Sequence, residues 1–256
     1  MNWLIKLCCI AATVYLAIGG LLYLGQRHLL YHPTPPQHLP DNIEVLPLAI
    51  ENGSEKLLRL NPGHNRALLY LGGNAEQVAN SAPQLAEQLP NHTIYLLNYR
   101  GYGGSDGKHS EQNLYRDATS SYELIARQHS HIAVMGRSLG TGIATYLASR
   151  ENVERLVLIT PYDSITAVAQ RHYPLFPLQL LIKDRYDSLS RANAIDTPTL
   201  IMIAEQDRVI PPIHARRLAD ALPPENTSVE IIPGSDHNSV AQHPRYWSLI
   251  GDFLQH

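Results

Sequence analysis

Cysteine is almost absent from this 256-residue chain: Cys8 and Cys9 stand adjacent in an apolar N-terminal stretch, and none follows. Neighbouring cysteines are poorly placed to bridge, so no structural disulfide frames the fold, and cysteine usage assigns no redox compartment. They read as small apolar residues of a lipid-facing helix, with acylation as the alternative. An excess of charge is missing too. The chain has 20 Lys and Arg against 23 Asp and Glu, a formal net charge of −3, and no dense basic run. Phosphate binding needs concentrated positive charge, so a nucleic-acid surface is excluded. The thirteen histidines are scattered rather than grouped as ligands, and no metal centre is expected. An apolar fraction of 44% with 17% charged residues excludes global disorder. The length suits one full-sized domain plus a short appendage.

What is present begins with LCCIAATVYLAIGGLLYL, Leu7 to Leu24, eighteen residues without a charge. That length just reaches a bilayer-spanning helix. Trp3 and Tyr23 near its ends suit the membrane interface, while Lys6 on one side and Arg27 with His28 on the other set no clean orientation. The expectation is an uncleaved anchor over residues 1–27. The alternative, a cleaved signal peptide, has only Ala17-Ile18-Gly19 as a weak cleavage site. Residues 28–40 include Tyr31-His32-Pro33-Thr34-Pro35-Pro36, too rich in proline for a helix, and read as a linker to a body of residues 41–256.

In the body, Ile43–Ile50 and Lys56–Leu60 flank the turn signal Glu51-Asn52-Gly53-Ser54 and predict a hairpin at one sheet edge. Short apolar strands then alternate with amphipathic helices. The strands are expected at Ala67–Leu71, Thr93–Asn98, Ile132–Met135, Leu156–Ile159, Thr199–Ala204 and Val229–Ile232. Continuous runs such as LVLI and LIMI indicate burial on both faces, as in a parallel sheet. Helices are expected at Ala75–Leu89, Glu111–Gln128 with Ser110 as N-cap, Ser138–Ser149, Pro212–Ala221 and Pro244–Leu254. This is one doubly wound α/β domain. Residues 161–195 break the alternation and read as a cap over one sheet end.

Gly136-Arg137-Ser138-Leu139-Gly140 is a G-x-S-x-G element between a strand and a helix. Its glycines let strand and helix approach around a strained turn that lifts the Ser138 hydroxyl clear of the sheet. The Leu139 N–H and the helix N-terminus then face a developing oxyanion. A serine nucleophile needs a base. His237, in Pro233-Gly234-Ser235-Asp236-His237-Asn238 after the last strand, is the candidate, with His243 as runner-up. The acid is expected after the preceding strand, in Glu205-Gln206-Asp207-Arg208-Val209-Ile210-Pro211. Asp207 would orient the imidazole, with Glu205 and Asp236 as alternatives. Leu71-Gly72-Gly73-Asn74-Ala75 closes an early strand. The N–H of Asn74, or of a neighbour, is the candidate second oxyanion donor.

With these residues in place, the chain resembles the α/β-hydrolase family from about His28 to Leu254. It is most similar to the small membrane-anchored branch that includes bacterial serine-peptidase-like hydrolases and eukaryotic protein depalmitoylases. The blocks GGNA at Gly72, NYRGYGGSDG at Asn98, GRSLGTGIATYLAS at Gly136, TPYDSI at Thr160, EQDRVIP at Glu205 and GSDHN at Gly234 carry the likeness. It implies an α/β-hydrolase fold, a mostly parallel sheet flanked by helices with a small cap and an N-terminal transmembrane helix. It also implies a Ser138–Asp207–His237 triad, an oxyanion hole from Asn74 and Leu139, and no cofactor. One departure is Gly72-Gly73-Asn74 where the family usually has His-Gly-Asn. The expected activity is hydrolysis of an ester or thioester, with a lipophilic acyl group suggested by the anchor and by Tyr173, Leu175, Phe176 and Leu178. The expected partners are that acyl substrate and the bilayer. A peptidase and a non-catalytic lipid- or partner-binding protein are the rival readings.

Overall fold

The computed structural model describes residues 2–51 and 53–255. Helix α1 (Asn2–Leu30) is followed by an irregular stretch and an edge hairpin, β1 (Glu44–Ile50) and β2 (Gly53–Leu60). Then come β3 (Arg66–Leu71), α2 (Ala82–Gln88), β4 (His92–Asn98), α3 (Glu111–Ala126), β5 (His131–Arg137), α4 (Leu139–Ala148) and β6 (Arg155–Ile159). The cap holds α5 (Ile165–His172), α6 (Leu178–Leu181) and a 3-10 turn at Leu189–Ala194. The chain finishes with β7 (Thr199–Ala204), α7 (Pro212–Ala221), β8 (Thr227–Ile232) and α8 (Arg245–Gln255).

The strands form one eight-stranded sheet in the order β1-β2-β4-β3-β5-β6-β7-β8. The β1–β2 and β2–β4 pairs are antiparallel and the other five pairs parallel. Every residue of β4 and β7 is buried, because helices cover both faces of the sheet. On one face, α3 contributes Leu114, Ala118 and Ile125 at helical spacing, packed with Ile143 and Leu147 of α4. On the other face, Leu85 of α2 and Ile250 and Leu254 of α8 pack over Leu68, Met135 and Met202. The Ser110 hydroxyl caps α3, accepting from the Asn113 N–H at 3.2 Å.

Several elements begin or end one or two residues from expectation, and three differences go further. β2 starts at Gly53, because Gly53 and Ser54 pair with Ile50 and Ala49 and extend the ladder into the predicted turn. Asn52, part of that turn, lies outside the described residues. No continuous helix runs from Ala75 to Leu89. Ala75 has φ of +58°, a 3-10 turn covers Val78–Ser81, and the α-helix begins only at Ala82 with Pro83 in its first turn. The Glu76 side chain turns back to bond the loop before it, and Pro83, without an N–H, is tolerated only where a helix begins. Finally, the proline-rich linker does not stand free. Tyr31 is 2% exposed and its hydroxyl lies 2.8 Å from that of Tyr186, while the Thr34 carbonyl accepts the Gly103 N–H.

Candidate active site

The four loops that carry the predicted residues all leave the C-terminal ends of parallel strands, where open α/β sheets place ligands. Asn74 follows β3, Ser138 follows β5, Asp207 follows β7 and His237 follows β8. At the β5–α4 turn, Ser138 has φ of +49° and ψ of −117°, a conformation that disfavours any residue with a Cβ. Such strain persists only where the surroundings over-determine it, at a cost of about 1–3 kcal/mol. Here the Ser138 N–H donates to the Ile159 carbonyl and the Ser138 carbonyl accepts the Thr141 N–H, both at 2.9 Å. The flanking glycines are required by close approach. A Cβ at Gly140 would lie 2.0 Å from the Leu71 carbonyl oxygen, and one at Gly136 2.6 Å from the Gly140 oxygen.

The structure brings Ser138, His237 and Asp207 together. His237 Nε2 lies 2.9 Å from Ser138 Oγ, and His237 Nδ1 lies 2.7 Å from Asp207 Oδ2. The other carboxylate oxygen, Asp207 Oδ1, accepts the N–H groups of Val209 at 2.9 Å and Ile210 at 2.8 Å. These bonds aim one oxygen at the imidazole, and Asp207 is only 5% exposed. With Nδ1–H donating to Asp207, the neutral tautomer leaves the Nε2 lone pair for the serine proton.

The alternatives have other roles. Glu205 accepts the Gly234 N–H at 2.8 Å and ties the two loops together. Asp236 accepts from the Ser239 N–H and hydroxyl and from the Asn238 N–H, which hold its carboxyl below the usual range and mark it as a turn former. His243 Nδ1 accepts the Arg245 N–H at the start of α8. Against the expectation of scattered histidines, His28 and His32 stand at His-x-x-x-His spacing. α1 ends between them, and no three His, Cys, Asp or Glu side chains among the described residues could share a metal.

At the β3 loop, the Gly73 N–H is taken by Glu76 Oε2 at 2.6 Å, so it cannot serve an oxyanion. The N–H groups of Asn74 and Leu139 have no protein acceptor among the described residues, and both residues line the cleft beside Ser138. The Asn74 side chain holds its loop in place. Its Oδ1 accepts the Tyr102 hydroxyl at 2.8 Å and the His32 N–H at 2.9 Å, and its Nδ2 donates to the Leu30 carbonyl. Tyr99 donates to the Gly72 carbonyl at 2.8 Å, so the NYRGYGGSDG block props this loop from below.

Sequence reasoning passed over Glu76 and Arg137. The Glu76 carboxylate accepts from the Tyr70 hydroxyl at 2.6 Å, the Ser81 hydroxyl at 3.0 Å and Arg137 Nη1 at 3.2 Å, besides Gly73. Arg137 Nη2 in turn donates to the His237 carbonyl at 3.3 Å. Burial alone would lower the Arg137 pKa, but the charge and hydrogen bond of Glu76, together with Tyr70 and Tyr246, outweigh it and keep the guanidinium protonated. Burial, with the Glu76 charge alongside, pushes the Tyr70 phenol far up, so it remains a donor. One carboxylate thus links the loops of Asn74, Ser138 and His237. The available signals were an acid three residues after Gly73 and a cation beside Ser138.

Ser138 and His237 open into a cleft of about 500 Å³. Its walls are mostly apolar, with Leu22 and Leu29 from α1 and Ile165, Val168, Phe176 and Leu181 from the cap, alongside polar residues such as Gln26 and His172.

A family model for the alpha/beta hydrolase fold matches residues 67–181. The protein Rv2307c of Mycobacterium tuberculosis is 31% identical over 247 residues, covering 90% of this chain and 87% of that one. A Saccharomyces cerevisiae protein named as a membrane protein, YNL320W, is 31% identical over 171 residues, covering 63% of this chain and 60% of that one. Among solved structures, the Pyrococcus furiosus esterase Pf2001 superposes with a TM-score of 0.71 at 17% identity, covering 87% of this chain and 98% of that one. The strand order, the strained serine turn and these similarities together place the chain in the α/β-hydrolase family.

Proposed function

We propose that this protein is a membrane-anchored serine hydrolase that cleaves carboxylic esters or thioesters of lipophilic acyl groups. One observation carries the reading: an unbroken hydrogen-bonded line from Asp207 through His237 to Ser138, ending in an apolar cleft. Ser138 Oγ attacks the carbonyl carbon as His237 Nε2 takes the hydroxyl proton. The imidazolium, held by Asp207, returns that proton to the departing alcohol or thiol, leaving an acyl-serine. Water then enters, gives a proton to His237 and attacks the acyl carbon. The acid departs and the proton returns to Ser138. Both tetrahedral intermediates carry an oxyanion that the N–H groups of Asn74 and Leu139 stabilise; losing one such donor typically costs ~10²–10³ in rate.

The apolar lining favours a hydrocarbon acyl chain, and α1 has the length and composition of a membrane span. The test is labelling of the detergent-solubilised full chain with a fluorophosphonate, followed by acyl-chain profiling. Wild type is expected to label, and Ser138→Ala and His237→Ala are not. Ser138→Ala should melt at the wild-type temperature, since it removes one oxygen. Labelling or ester turnover retained in folded Ser138→Ala refutes the nucleophile, and equal rates on acetyl and octanoyl esters refute the lipophilic substrate.

A further inference from the structure

Between α5 and the short helix α6 the cap carries an irregular loop, Tyr173–Pro177. Two apolar side chains here, Leu175 of the loop and Leu180 of α6, are 79% and 81% exposed. A loop in water normally leaves its carbonyl groups to solvent. This loop does not. Gln170 of α5 donates through Nε2 to the carbonyls of Tyr173, Pro174 and Phe176 at 3.2, 3.4 and 3.0 Å. Its Oε1 accepts the Leu178 N–H at 3.2 Å. The remaining carbonyl in this run, that of Leu175, accepts the Tyr15 hydroxyl of α1 at 2.8 Å. Pro174 and Pro177 have no N–H to satisfy. Four consecutive carbonyls are therefore bonded from within the protein, and among the described residues the Leu175 N–H is the one backbone donor of this run without a protein acceptor, while Tyr173, Pro174, Leu175 and Pro177 are exposed and Phe176 packs on α1. An unsatisfied backbone polar group is costly in hydrocarbon, and these four carbonyls are spared that cost by their protein donors.

The contact between cap and α1 gives the depth. Arg27 is paired with Asp184 at 2.8 Å, and Lys183 Nζ sits 4.2 Å from the Tyr23 ring centroid, so the polar edge of the cap lies near Arg27. From there the cap follows α1 toward the N-terminus. Gln26 donates to the Leu181 carbonyl, the Phe176 ring packs against Gly19, and Phe176 stacks on Tyr15 with centroids 4.9 Å apart. Tyr15 is twelve residues from Arg27, about 18 Å along a helix. Counting back the roughly 20 residues that a span requires from Arg27 returns to Leu7, next to Lys6. A span placed there puts Tyr15, and the cap tip bonded to it, inside the hydrocarbon; a tilt of about 40° shortens the depth only to about 14 Å.

We propose that the cap tip, Tyr173–Leu181, is a membrane-inserted element sharing one leaflet with α1, and that the cleft above Ser138 opens between them to the acyl chains of that leaflet. The partner is the acyl-chain layer of a lipid bilayer. This rests on the membrane-anchor reading given above and on no catalytic step. The α1 residues turned to the cleft, Gly19, Leu22, Tyr23, Gln26 and Leu29, fall on one helix face, so the anchor doubles as a wall of the site.

The test uses the full chain with Cys8→Ser and Cys9→Ser, carrying a single Leu175→Cys or Leu180→Cys labelled with an environment-sensitive nitrobenzoxadiazole. Asn91→Cys, at the opposite end of the sheet, is the control. In phosphatidylcholine vesicles, labels at positions 175 and 180 should be quenched by spin-labelled phospholipid roughly twofold or more over the control and be shielded from iodide. Iodide quenching equal to the control, in protein that carbonate does not extract, overturns this proposal and leaves the anchor intact. Release of the protein by carbonate overturns the anchor and the cap insertion together. Lipid-quenched caps on protein that no fluorophosphonate labels overturn the hydrolase reading alone.

Discussion

Replacing Glu76 with alanine removes one carboxylate and strips four donors of their acceptor: the Gly73 N–H, the Tyr70 and Ser81 hydroxyls, and Arg137. The side chains of Glu76 and Arg137 are 10% and 20% exposed, so the guanidinium would be left largely buried without its counter-charge. Breaking a buried pair in this way costs about 3–5 kcal/mol, and the fifth of Arg137 already open to water brings the expectation to about 2–4 kcal/mol. For a chain of this size that is a fall of roughly 4–16 °C in melting temperature. Arg137→Met should cost less, because Glu76 keeps three donors in its absence. The double variant should recover part of the loss, with a coupling energy of about 1–3 kcal/mol in a thermodynamic cycle. The kinetic effect is separate. Without the 2.6 Å bond to Gly73, the loop that presents the Asn74 N–H is free to drift from the oxyanion position. In the proposed mechanism that donor acts in the transition state, so kcat on p-nitrophenyl butyrate should fall about 10–10²-fold with KM changed little. Melting curves and steady-state rates of the three variants check both parts. If the two substitutions add within about 0.5 kcal/mol and kcat stays at the wild-type value, the carboxylate neither pairs with Arg137 nor positions the loop, and the reasoning fails.

Two further substitutions probe other parts of the frame. Gly140→Ala would drive a methyl to 2.0 Å from the Leu71 carbonyl oxygen, a backbone atom unable to step aside, so a loss exceeding about 3 kcal/mol or failure to fold is expected. A wild-type melting curve for Gly140→Ala would refute so close an approach of α4 to β3. Asp163, buried in the cap, feels burial pushing its pKa up, but hydrogen bonds from His214 Nδ1 at 2.8 Å and the Ser164 N–H at 2.7 Å, joined by the His214 charge and by Arg217, together outweigh it and leave the carboxyl below its usual range. A depressed folded-state pKa gives stability that is present above the unfolded value and lost as pH falls through the folded one. The melting-temperature advantage of wild type over Asp163→Asn should therefore be steady near neutrality and shrink below about pH 4; a constant difference down to about pH 3 refutes it.

The sequence reveals the parts of this molecule that are determined locally. Continuous apolar runs mark β5 and β7 because a strand covered on both faces needs no polar alternation. The G-x-S-x-G element is legible because each glycine answers a contact made within a few residues or by the neighbouring strand. The stretch after Gly73 is illegible for the opposite reason. Its helix-prone residues give way because Glu76 finds partners on β3 and also on Arg137, and the latter, 61 positions away, falls outside any local window. Tyr31 disappears from view in a proline-rich stretch because its partner, Tyr186, is 155 positions distant. The choice of acid shows the same limit at the site itself. Glu205, Asp207 and Asp236 are all loop carboxylates within reach of the last two strands, and all three bond backbone N–H groups. Only Asp207 has one oxygen occupied by its own turn and the other free for an imidazole arriving from a different loop. That distinction depends on where β8 delivers His237 beside β7, which is a property of strand order rather than of any short segment.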